Sequence, residues 1–184
     1  EKVSMPASAL PQLLVQFSDT HIAPQGSLAY GRVDTAAHLE QAVAAVARLS
    51  HVPLAVLVTG DLANHGDDQA YARLRELLSP LPCPIHLMPG NHDDRAALRR
   101  AFPDHAYLSA DASTDADAFV QYEINWPGLR LLTLDTVVPH ASHGSLCAQR
   151  IAWLADRLAQ APDIPTIVAM HHPPFAVGMP ALDG

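Results

Sequence analysis

The sequence predicts a mixed α/β domain with two sheets, and three observations support this fold class. Short apolar runs alternate with segments of helical periodicity in the first half of the chain, which is typical of parallel strands joined by helices. In the second half, two apolar runs flank an Asn-Trp-Pro-Gly turn and predict an antiparallel hairpin in a different sheet. The 184 residues are 49% hydrophobic and 16% charged, which suits one buried core and predicts a single domain over residues 1–184.

Strands and helices are predicted in alternation in the first half. Each strand is a short, continuous apolar run bounded by polar residues, as expected of buried strands. Each helix begins at an Asp, a residue type that caps helices, and carries apolar residues at helical spacing. Asp93 and Asp94 are both interpreted as caps of the last of these helices. In chain order the predicted elements are the strand Leu13–Phe17, the helix from Asp34 to near Ser50, the strand Leu54–Val58, the helix from Asp67 or Asp68 to Pro80, the strand Ile85–Met88 and the helix Asp94–Phe102.

A polar, Asp-rich connection precedes the second half, and because apolar strands resume directly after it we interpret it as a surface loop. The hairpin follows from the two apolar runs beside the turn. The last helix follows from its periodic apolar face, and the last strand from a final apolar run. In chain order the predicted elements are the loop Asp104–Asp117, the strands Ala118–Ile124 and Leu129–Leu134, the loop His140–Ser145, the helix Gln149–Gln160 and the strand Thr166–Met170.

Charge and composition argue against several classes of protein. The formal net charge is −8 with the eleven histidines neutral, whereas proteins that bind a nucleic-acid scaffold present clustered Lys and Arg. No apolar run approaches the roughly twenty residues of a membrane span, and the first residues lack the pattern of a signal peptide. Cys83 and Cys147 form no pattern typical of a disulfide framework or a thiolate zinc site. We therefore expect a cytoplasmic protein with neither nucleic acid nor membrane as a partner.

Residues that can bind metals come directly after four of the predicted strands. The carboxyl ends of such strands are where ligands bind in open α/β sheets. Carboxylate, amide and imidazole donors without a thiolate suit Mn, Fe, Co or Zn held for Lewis-acid chemistry. Glycines in two of these segments allow the backbone to approach an ion or a phosphate closely. The four segments are Asp19-x-His21, Gly60-Asp61, Gly90-Asn91-His92-Asp93 and His171-His172.

The order of these segments resembles that of the calcineurin-like metallophosphoesterase superfamily. Their surroundings are similar to those of bacterial glycerophosphodiesterases and class III cyclic-nucleotide phosphodiesterases, from about Leu13 to the last residue. The resemblance implies a four-layer αββα sandwich of two mixed β-sheets. The stretches that carry the closer similarity are Ser18-Asp19-Thr20-His21, Tyr30-Gly31, Gly60-Asp61 with Asn64, Pro89-Gly90-Asn91-His92-Asp93-Asp94 and Met170-His171-His172-Pro173-Pro174.

The resemblance implies a site with two divalent metal ions. Carried over by position, Asp19 and His21 would bind the first metal and Asn91 and His171 the second. Asp61 would bridge the two, which makes physical sense because a shared carboxylate reduces the repulsion between neighbouring cations. Mn, Fe, Co and Zn all accept these ligands, so the metals are left open.

The remaining site residues are also assigned through the resemblance. His92 would be the catalytic residue, either protonating the leaving group or stabilising charge in the transition state, and would lie beside the substrate phosphate. Asn64 and His172 are expected to contact the substrate, with orientation of His171 as the alternative for His172. His65 follows Asn64 and could line the same pocket.

One part of the family pattern is absent. A Gly-His-x-His motif that supplies one further ligand to each metal does not follow His171 in this sequence. The sequence His140-x-x-His143 precedes His171 and has the wrong spacing, so we interpret it as a rim of the site. We therefore expect a domain truncated at its C-terminus, with part of the second sheet missing and an unpaired edge prone to association. Formation of a homo-oligomer is left open.

The leading functional hypothesis is hydrolysis of a small phosphodiester, either a glycerophosphodiester or a cyclic nucleotide, by a hydroxide activated at the dinuclear site. One alternative is a phosphomonoesterase or protein phosphatase, because the motifs indicate hydrolysis of a phosphoester more directly than they identify which ester is the substrate. Another is an inactive metal-binding or interaction fragment, because of the absent histidine motif.

Overall fold

Two sheets and four helices form the described part of the chain, residues 12–109 and 118–178 of a computed structural model. The predicted mixed α/β class with two sheets is confirmed. In chain order the elements are β1 Leu14–Phe17, α1 Thr35–Ala47, β2 Ala55–Thr59, α2 Asp68–Leu78, β3 Ile85–Met88, α3 Arg95–Ala101, a 3₁₀ turn Ala106–Leu108, β4 Tyr122–Trp126, β5 Leu129–Leu134, α4 Ala148–Gln160 and β6 Thr166–Met170.

The first sheet has the strand order β1-β2-β3 and is parallel throughout. β2 lies in the middle and is buried along its whole length, which explains its continuous Ala-Val-Leu-Val-Thr sequence. Because all three strands run in the same direction, their carboxyl ends meet at one edge of the sheet.

The second sheet has the order β4-β5-β6 and is mixed. β4 and β5 form the predicted antiparallel hairpin, and β5 pairs in parallel with β6. The register ends with Leu134 opposite Met170, so the residues that follow β5 and β6 also lie side by side.

The predicted strand Ala118–Ile124 is wrong at both ends, since β4 spans Tyr122–Trp126. The strand starts later because the backbone N–H of Val120 donates to the carboxylate of Asp135 at 2.9 Å instead of joining the sheet. It ends later because Asn125 and Trp126 still pair with β5. Residues 110–117, most of the predicted loop Asp104–Asp117, lie outside the described residues.

Aspartates cap the three helices of the first half, each accepting a hydrogen bond from a backbone N–H in the first turn. The caps are Asp34 for α1, Asp67 for α2 and Asp94 for α3. Of the two candidates for α2, Asp68 is therefore the first helical residue. The prediction that Asp93 also caps α3 is wrong, because its carboxylate bonds elsewhere.

One apolar core unites the helices of the first half with both sheets. It joins the inward faces of α1, α2 and α3 to β2, β3 and the start of β4, so the two sheets are packed against a shared interior. Its fully buried side chains include Ile22, Val56, Val58, Leu62, Tyr71, Leu74, Leu87 and Leu98.

Tyrosine hydroxyls cover the outer edge of β3, which within the described residues pairs with no strand besides β2. The hydroxyl of Tyr107 accepts from the N–H of Leu87 and donates to the carbonyl of Ile85, both at 3.0 Å. The hydroxyl of Tyr122 donates to the carbonyl of Leu87 at 2.7 Å. These bonds satisfy an edge that could otherwise pair with another chain.

The outer side of the second sheet is more open. Within residues 12–109 and 118–178, β6 pairs only with β5, and Ile167 and Val168 are each 37% exposed. The expectation that this edge promotes association stays a prediction. None of the helices in the described ranges is long and apolar enough to cross a membrane.

Arg130 on β5 is almost fully buried at 1% exposure and binds the end of α4. Its guanidinium donates to the carbonyls of Arg157 at 2.7 Å and Ala161 at 3.3 Å, and to the hydroxyl of Thr166 at 3.1 Å. A buried arginine thus satisfies the unpaired carbonyls of a helix terminus and joins α4 to β5 and β6.

We expect Arg130→Met to lower the free energy of unfolding by about 2–3 kcal/mol, because several hydrogen bonds from a charged donor are lost and buried carbonyls stay unpaired. Urea unfolding followed by circular dichroism measures this loss. Arg48→Met, which replaces an exposed arginine just after α1, is the control and should be near neutral. Equal stability of the Arg130 variant and the wild type would contradict the capping role.

His86 on β3 is 8% exposed and lies among Tyr107, Tyr122 and Trp126, with ring centroids 5.1 to 6.3 Å away. Burial, with a smaller contribution from His105, lowers the pKa of His86 to about 4. Its imidazole is therefore neutral in the folded protein at pH values where the unfolded chain already binds a proton.

This depressed pKa makes stability depend on acid. Because the unfolded state binds the proton first, stability falls as the pH drops from about 6.5 towards 4, by about 2 kcal/mol between pH 7 and pH 5. We expect His86→Phe to remove that share of the loss, as measured by urea unfolding at both pH values. An unchanged pH dependence would show that His86 does not cause it.

Candidate metal centre

The residues that follow β1, β2, β3 and β6 converge on Asp61. The carboxylate oxygen Oδ2 of Asp61 lies 3.5 Å from Nε2 of His21, and Oδ1 lies 3.4 Å from Nε2 of His171. Nε2 of His171 is also 3.3 Å from Oδ1 of Asn91, and Nε2 of His21 is 3.9 Å from the carboxylate of Asp19. All five predicted ligand residues are therefore brought together, with Asp61 buried at their centre.

Two groups of three side chains can each hold an ion, and Asp61 belongs to both. One group is His21, Asp61 and His92, and the other is Asp19, Asp61 and His171. Within each group the ligand atoms lie within 4.8 Å of one another. This grouping differs from the predicted pairing, since His92 joins the first group and Asp19 lies with His171.

Backbone strain is concentrated at this centre. Asp19, His21 and Asp61 have φ angles of 55°, 39° and 49°, in the left-handed region that residues with a Cβ rarely adopt. Such residues cost about 1–3 kcal/mol each and occur mainly at functional sites. Here the left-handed conformations turn the backbone sharply after β1 and β2, so that the three side chains point into the same space.

Hydrogen bonds between the loops after β1 and β2 hold these strained turns. The N–H of Asp19 donates to the carbonyl of Gly60 at 3.1 Å, and the N–H of His21 donates to the carbonyl of Asp61 at 2.8 Å. The N–H of Ile22 donates to Leu62 at 3.0 Å. The two loops thus continue the pairing of their strands past the end of the sheet.

Asp93 fixes the loop after β3 to the loop after β2. Its carboxylate accepts hydrogen bonds from the N–H groups of Gly90, Leu62 and Ala63 at 2.8 to 3.1 Å, and from the hydroxyl of Tyr71 at 2.9 Å. Burial raises the pKa of Asp93 to about 6. The four donors stabilise the ionised form, so this carboxylate is a structural clamp and not a helix cap.

Gly60 and Gly90 are required by close approach, as predicted. A Cβ at Gly60 would lie 2.7 Å from Cγ of His171, and φ there is 96°. A Cβ at Gly90 would lie 2.8 Å from Nε2 of His171 and closer still to the backbone of Asp61. Side chains at either position would occupy the space in which His171 meets Asp61.

The imidazoles of His171 and His92 are held in defined tautomers. Nδ1 of His171 lies 2.9 Å from the carbonyl of Thr59, and Nδ1 of His92 lies 2.8 Å from the carbonyl of Asn64. Because a carbonyl only accepts, each Nδ1 carries a proton, and in the neutral form of each ring Nε2 presents a lone pair. Both Nε2 atoms face the carboxylate of Asp61, that of His171 at 3.4 Å and that of His92 at 4.0 Å.

The donor set fits divalent cations. Burial lowers the pKa of His21, and the neighbouring His92 and His171 add to that effect against the opposing carboxylates Asp61 and Asp19. A neutral imidazole is the form that binds a metal ion. Two carboxylates, an amide oxygen and oriented imidazole nitrogens match the ligands of catalytic Mn, Fe, Co and Zn sites.

The other predicted site residues lie beside this centre. His172 is half-buried, with Nδ1 2.7 Å from the hydroxyl of Thr136. Asn64 is 3% exposed and bonds through Nδ2 to His65 at 2.9 Å. The side-chain oxygen of Asn64 and Nε2 of His172 are buried without a hydrogen-bond partner in the described part of the chain.

Two cavities open on the centre and share Asn91. One, of about 460 Å³, is lined by Asp61, His171 and His172 together with apolar side chains such as Met170. The other, of about 330 Å³, is lined by His65, His92, Arg95 and His140 among others. The predicted rim residue His140 and the pocket residue His65 thus both lie in the second cavity.

Sequence reasoning missed two contributors to the site. The hydroxyl of Tyr30 lies 3.3 Å from the ring nitrogens of His21. The family resemblance includes the pair Tyr30-Gly31 but implies no role for Tyr30. Thr59 orients His171 through a backbone carbonyl, which no side-chain pattern reveals.

Comparison with known proteins finds phosphodiesterases that are similar over most of this chain. The chain is 40% identical to a probable cyclic nucleotide phosphodiesterase of Rhodopseudomonas palustris, over 92% of this chain and 60% of that protein. It is 36% identical to a glycerophosphodiester phosphodiesterase of Enterobacter lignolyticus, over 93% of this chain and 60% of that protein. A cAMP/cGMP dual specificity phosphodiesterase of Mycobacterium tuberculosis is 37% identical, with coverage of 89% and 50%. The chain thus spans about half to three fifths of the length of these relatives.

A solved structure from Thermus thermophilus shares the fold, with a TM-score of 0.57 at 17% identity over 90% of this chain and 70% of that one. The family described as "Calcineurin-like phosphoesterase" matches residues 13–183, a range that includes both sheets and every residue that converges on Asp61. The chain therefore belongs to the calcineurin-like phosphoesterase family.

Proposed function

We propose that this chain is the metal-binding core of a hydrolase that cleaves small phosphodiesters, either glycerophosphodiesters or cyclic nucleotides, at a dinuclear site. The observation that carries the proposal is the position of Asp61, whose two carboxylate oxygens face different imidazoles, His21 at 3.5 Å and His171 at 3.4 Å. The relatives named as glycerophosphodiester and cyclic nucleotide phosphodiesterases support the substrate class.

Following the family resemblance, we assign Asp19 and His21 to one metal, Asn91 and His171 to the other, and Asp61 to both. Asp19 also lies within reach of His171, but the 3.9 Å between its carboxylate and Nε2 of His21 is compatible with this assignment. A carboxylate that gives one oxygen to each cation reduces their mutual repulsion. A neutral amide such as Asn91 limits the negative charge of the ligand set. Divalent Mn, Fe, Co or Zn held by these residues would activate water and stabilise negative charge on the phosphoryl group.

His92 is assigned to proton handling at Nε2. Its Nδ1 is bonded to the carbonyl of Asn64, which fixes the ring and directs Nε2 towards the space in front of Asp61. From there Nε2 can deliver a proton to a leaving oxygen or stabilise negative charge beside it. Asn64 and His172 flank that space, and we assign them to substrate contact on the basis of their unpartnered buried polar atoms.

We also infer the cellular location of the protein. Cys83 and Cys147 are both free thiols, which suits a reducing compartment and supports the cytoplasm as the location. A small phosphodiester is the proposed partner.

Metal content tests the ligand assignment. We expect Asp61→Ala to lose both equivalents of Mn²⁺, because it removes the shared ligand, and Asn91→Ala to weaken one site by at least about tenfold. Inductively coupled plasma mass spectrometry after gel filtration gives the stoichiometry. Asp68→Ala, which removes an exposed carboxylate on α2, is the matched control and should retain the wild-type content. Two equivalents bound to Asp61→Ala would refute the bridging role.

Rates on two chromogenic esters test the reaction class. With Mn²⁺ bound, we expect kcat/KM for bis-p-nitrophenyl phosphate to exceed that for p-nitrophenyl phosphate by at least about tenfold, because the site is proposed to bind a diester. Asp61→Ala is the blank for contaminating activity. A preference for the monoester would favour a phosphomonoesterase, and metal binding without turnover of either ester would favour an inactive fragment.

A further inference from the structure

We propose that Arg95 and Asp135 are positioning residues whose buried ion pair sets the distance between Asn91 and His171. The inference rests on the proposed function, in which these two side chains bind the second metal. The ion pair is outside the ligand set, but it would keep the amide oxygen of Asn91 and the imidazole nitrogen of His171 at a fixed distance.

The need for such a contact comes from the topology. Asn91 follows β3 in the first sheet, and His171 follows β6 in the second. In the described ranges no strand of one sheet pairs with a strand of the other. Nevertheless Nε2 of His171 lies 3.3 Å from Oδ1 of Asn91, so contacts between side chains must fix the relative position of the two sheet edges.

Each partner of the ion pair lies next to one of the two ligands, Arg95 along the chain from Asn91 and Asp135 on the strand end beside His171. Arg95 is the first residue of α3 and follows the loop that carries Asn91. Asp135 follows β5 directly, one step beyond the registered pair Leu134 and Met170, and so lies beside His171. The ion pair therefore spans the same gap between the sheets as the contact between the two ligands.

The geometry of the pair suits this role. Nε of Arg95 donates to Oδ2 of Asp135 at 2.6 Å, and Nη2 donates to Oδ1 at 2.9 Å and to the carbonyl of Val137 at 2.9 Å. The carboxylate also accepts from the N–H groups of Val120 and Val137, both at 2.9 Å. A two-pronged guanidinium–carboxylate pair fixes orientation as well as distance, which a single ammonium group cannot do.

Burial strengthens the pair. Arg95 is 8% exposed and Asp135 is fully buried. The guanidinium of Arg95 lies 5.5 Å from the ring centroid of Phe119, and that of Arg150 packs on the same ring at 4.3 Å while donating to the backbone carbonyl of Asp135 at 2.8 Å. Solvent screening is therefore weak, and the packing leaves the two side chains little freedom.

The charge of the pair also matters for a cation site. Arg95 lines the cavity of about 330 Å³ that Asn91 and His92 also line, so its positive charge borders the same cavity as two residues of the proposed site. An unpaired buried cation there would oppose the binding of divalent ions. Asp135 removes that conflict by neutralising the guanidinium in place.

Three variants separate positioning from simple stabilisation. Arg95→Lys keeps the charge but loses the fork, and the double variant Arg95→Met with Asp135→Leu replaces the pair by apolar side chains, which often maintains stability. Arg130→Met is the control, since Arg130 is also buried but lies at the opposite end of β5. Isothermal titration of the metal-free chain with Mn²⁺ alone gives the two affinities, and thermal unfolding without metal gives the stability.

We expect Arg95→Lys and the double variant to weaken the second Mn²⁺ site at least tenfold and to leave the first within twofold. Arg130→Met should lower stability and leave both affinities within twofold. Unchanged affinities in both Arg95 variants, or equal losses of affinity at both sites that accompany a loss of stability, would overturn the positioning role alone. A wild-type chain that binds no Mn²⁺ would overturn the proposed metal centre, and the positioning role with it.

Discussion

The rest of the site depends on the hydrogen bonds that the carboxylate of Asp93 accepts. It accepts hydrogen bonds from the N–H groups of Leu62 and Ala63, directly after Asp61, and from that of Gly90, directly before Asn91. One buried anion thereby fixes the loops after two neighbouring strands to each other. The four hydrogen-bond donors replace the water that the carboxylate loses on burial, so its negative charge is tolerated in the interior.

The same clamp supports strained and closely packed residues at the centre. Three residues in left-handed conformations at about 1–3 kcal/mol each are a large share of the 5–15 kcal/mol by which a domain is stable, so the surrounding bonds must over-determine them. The paired loops after β1 and β2 do so on one side, and Asp93 does so on the other. Gly60 and Gly90 then leave room for His171 to reach in from the second sheet. The first sheet therefore presents a rigid half-site, and the second sheet completes it.

Much of this arrangement could be predicted from the sequence, because buried parallel strands are continuous apolar runs and their ends collect polar residues. The run Ile85–Met88 matches β3 at both ends, and the residues after it reach the site as expected. The prediction that Asp93 caps α3 is wrong because an aspartate just before a helix can either cap the helix or bond to a neighbouring loop, and the local sequence does not distinguish the two. Arg95 and Asp135 could not be paired in advance, since they are far apart in the chain and meet only through the packing of the sheets. The same limit applies to Arg130, a charge inside an apolar strand whose partners come from a helix terminus.

In the proposed dinuclear site, the two sheets place their strand ends around Asp61 so that two metals share its carboxylate. Diffraction from crystals grown with Mn²⁺, recorded at the manganese absorption edge, locates the bound ions. A shared carboxylate predicts two anomalous peaks about 3.5–4 Å apart with the carboxylate of Asp61 between them. A single peak, or manganese bound away from Asp61, would refute the bridging role.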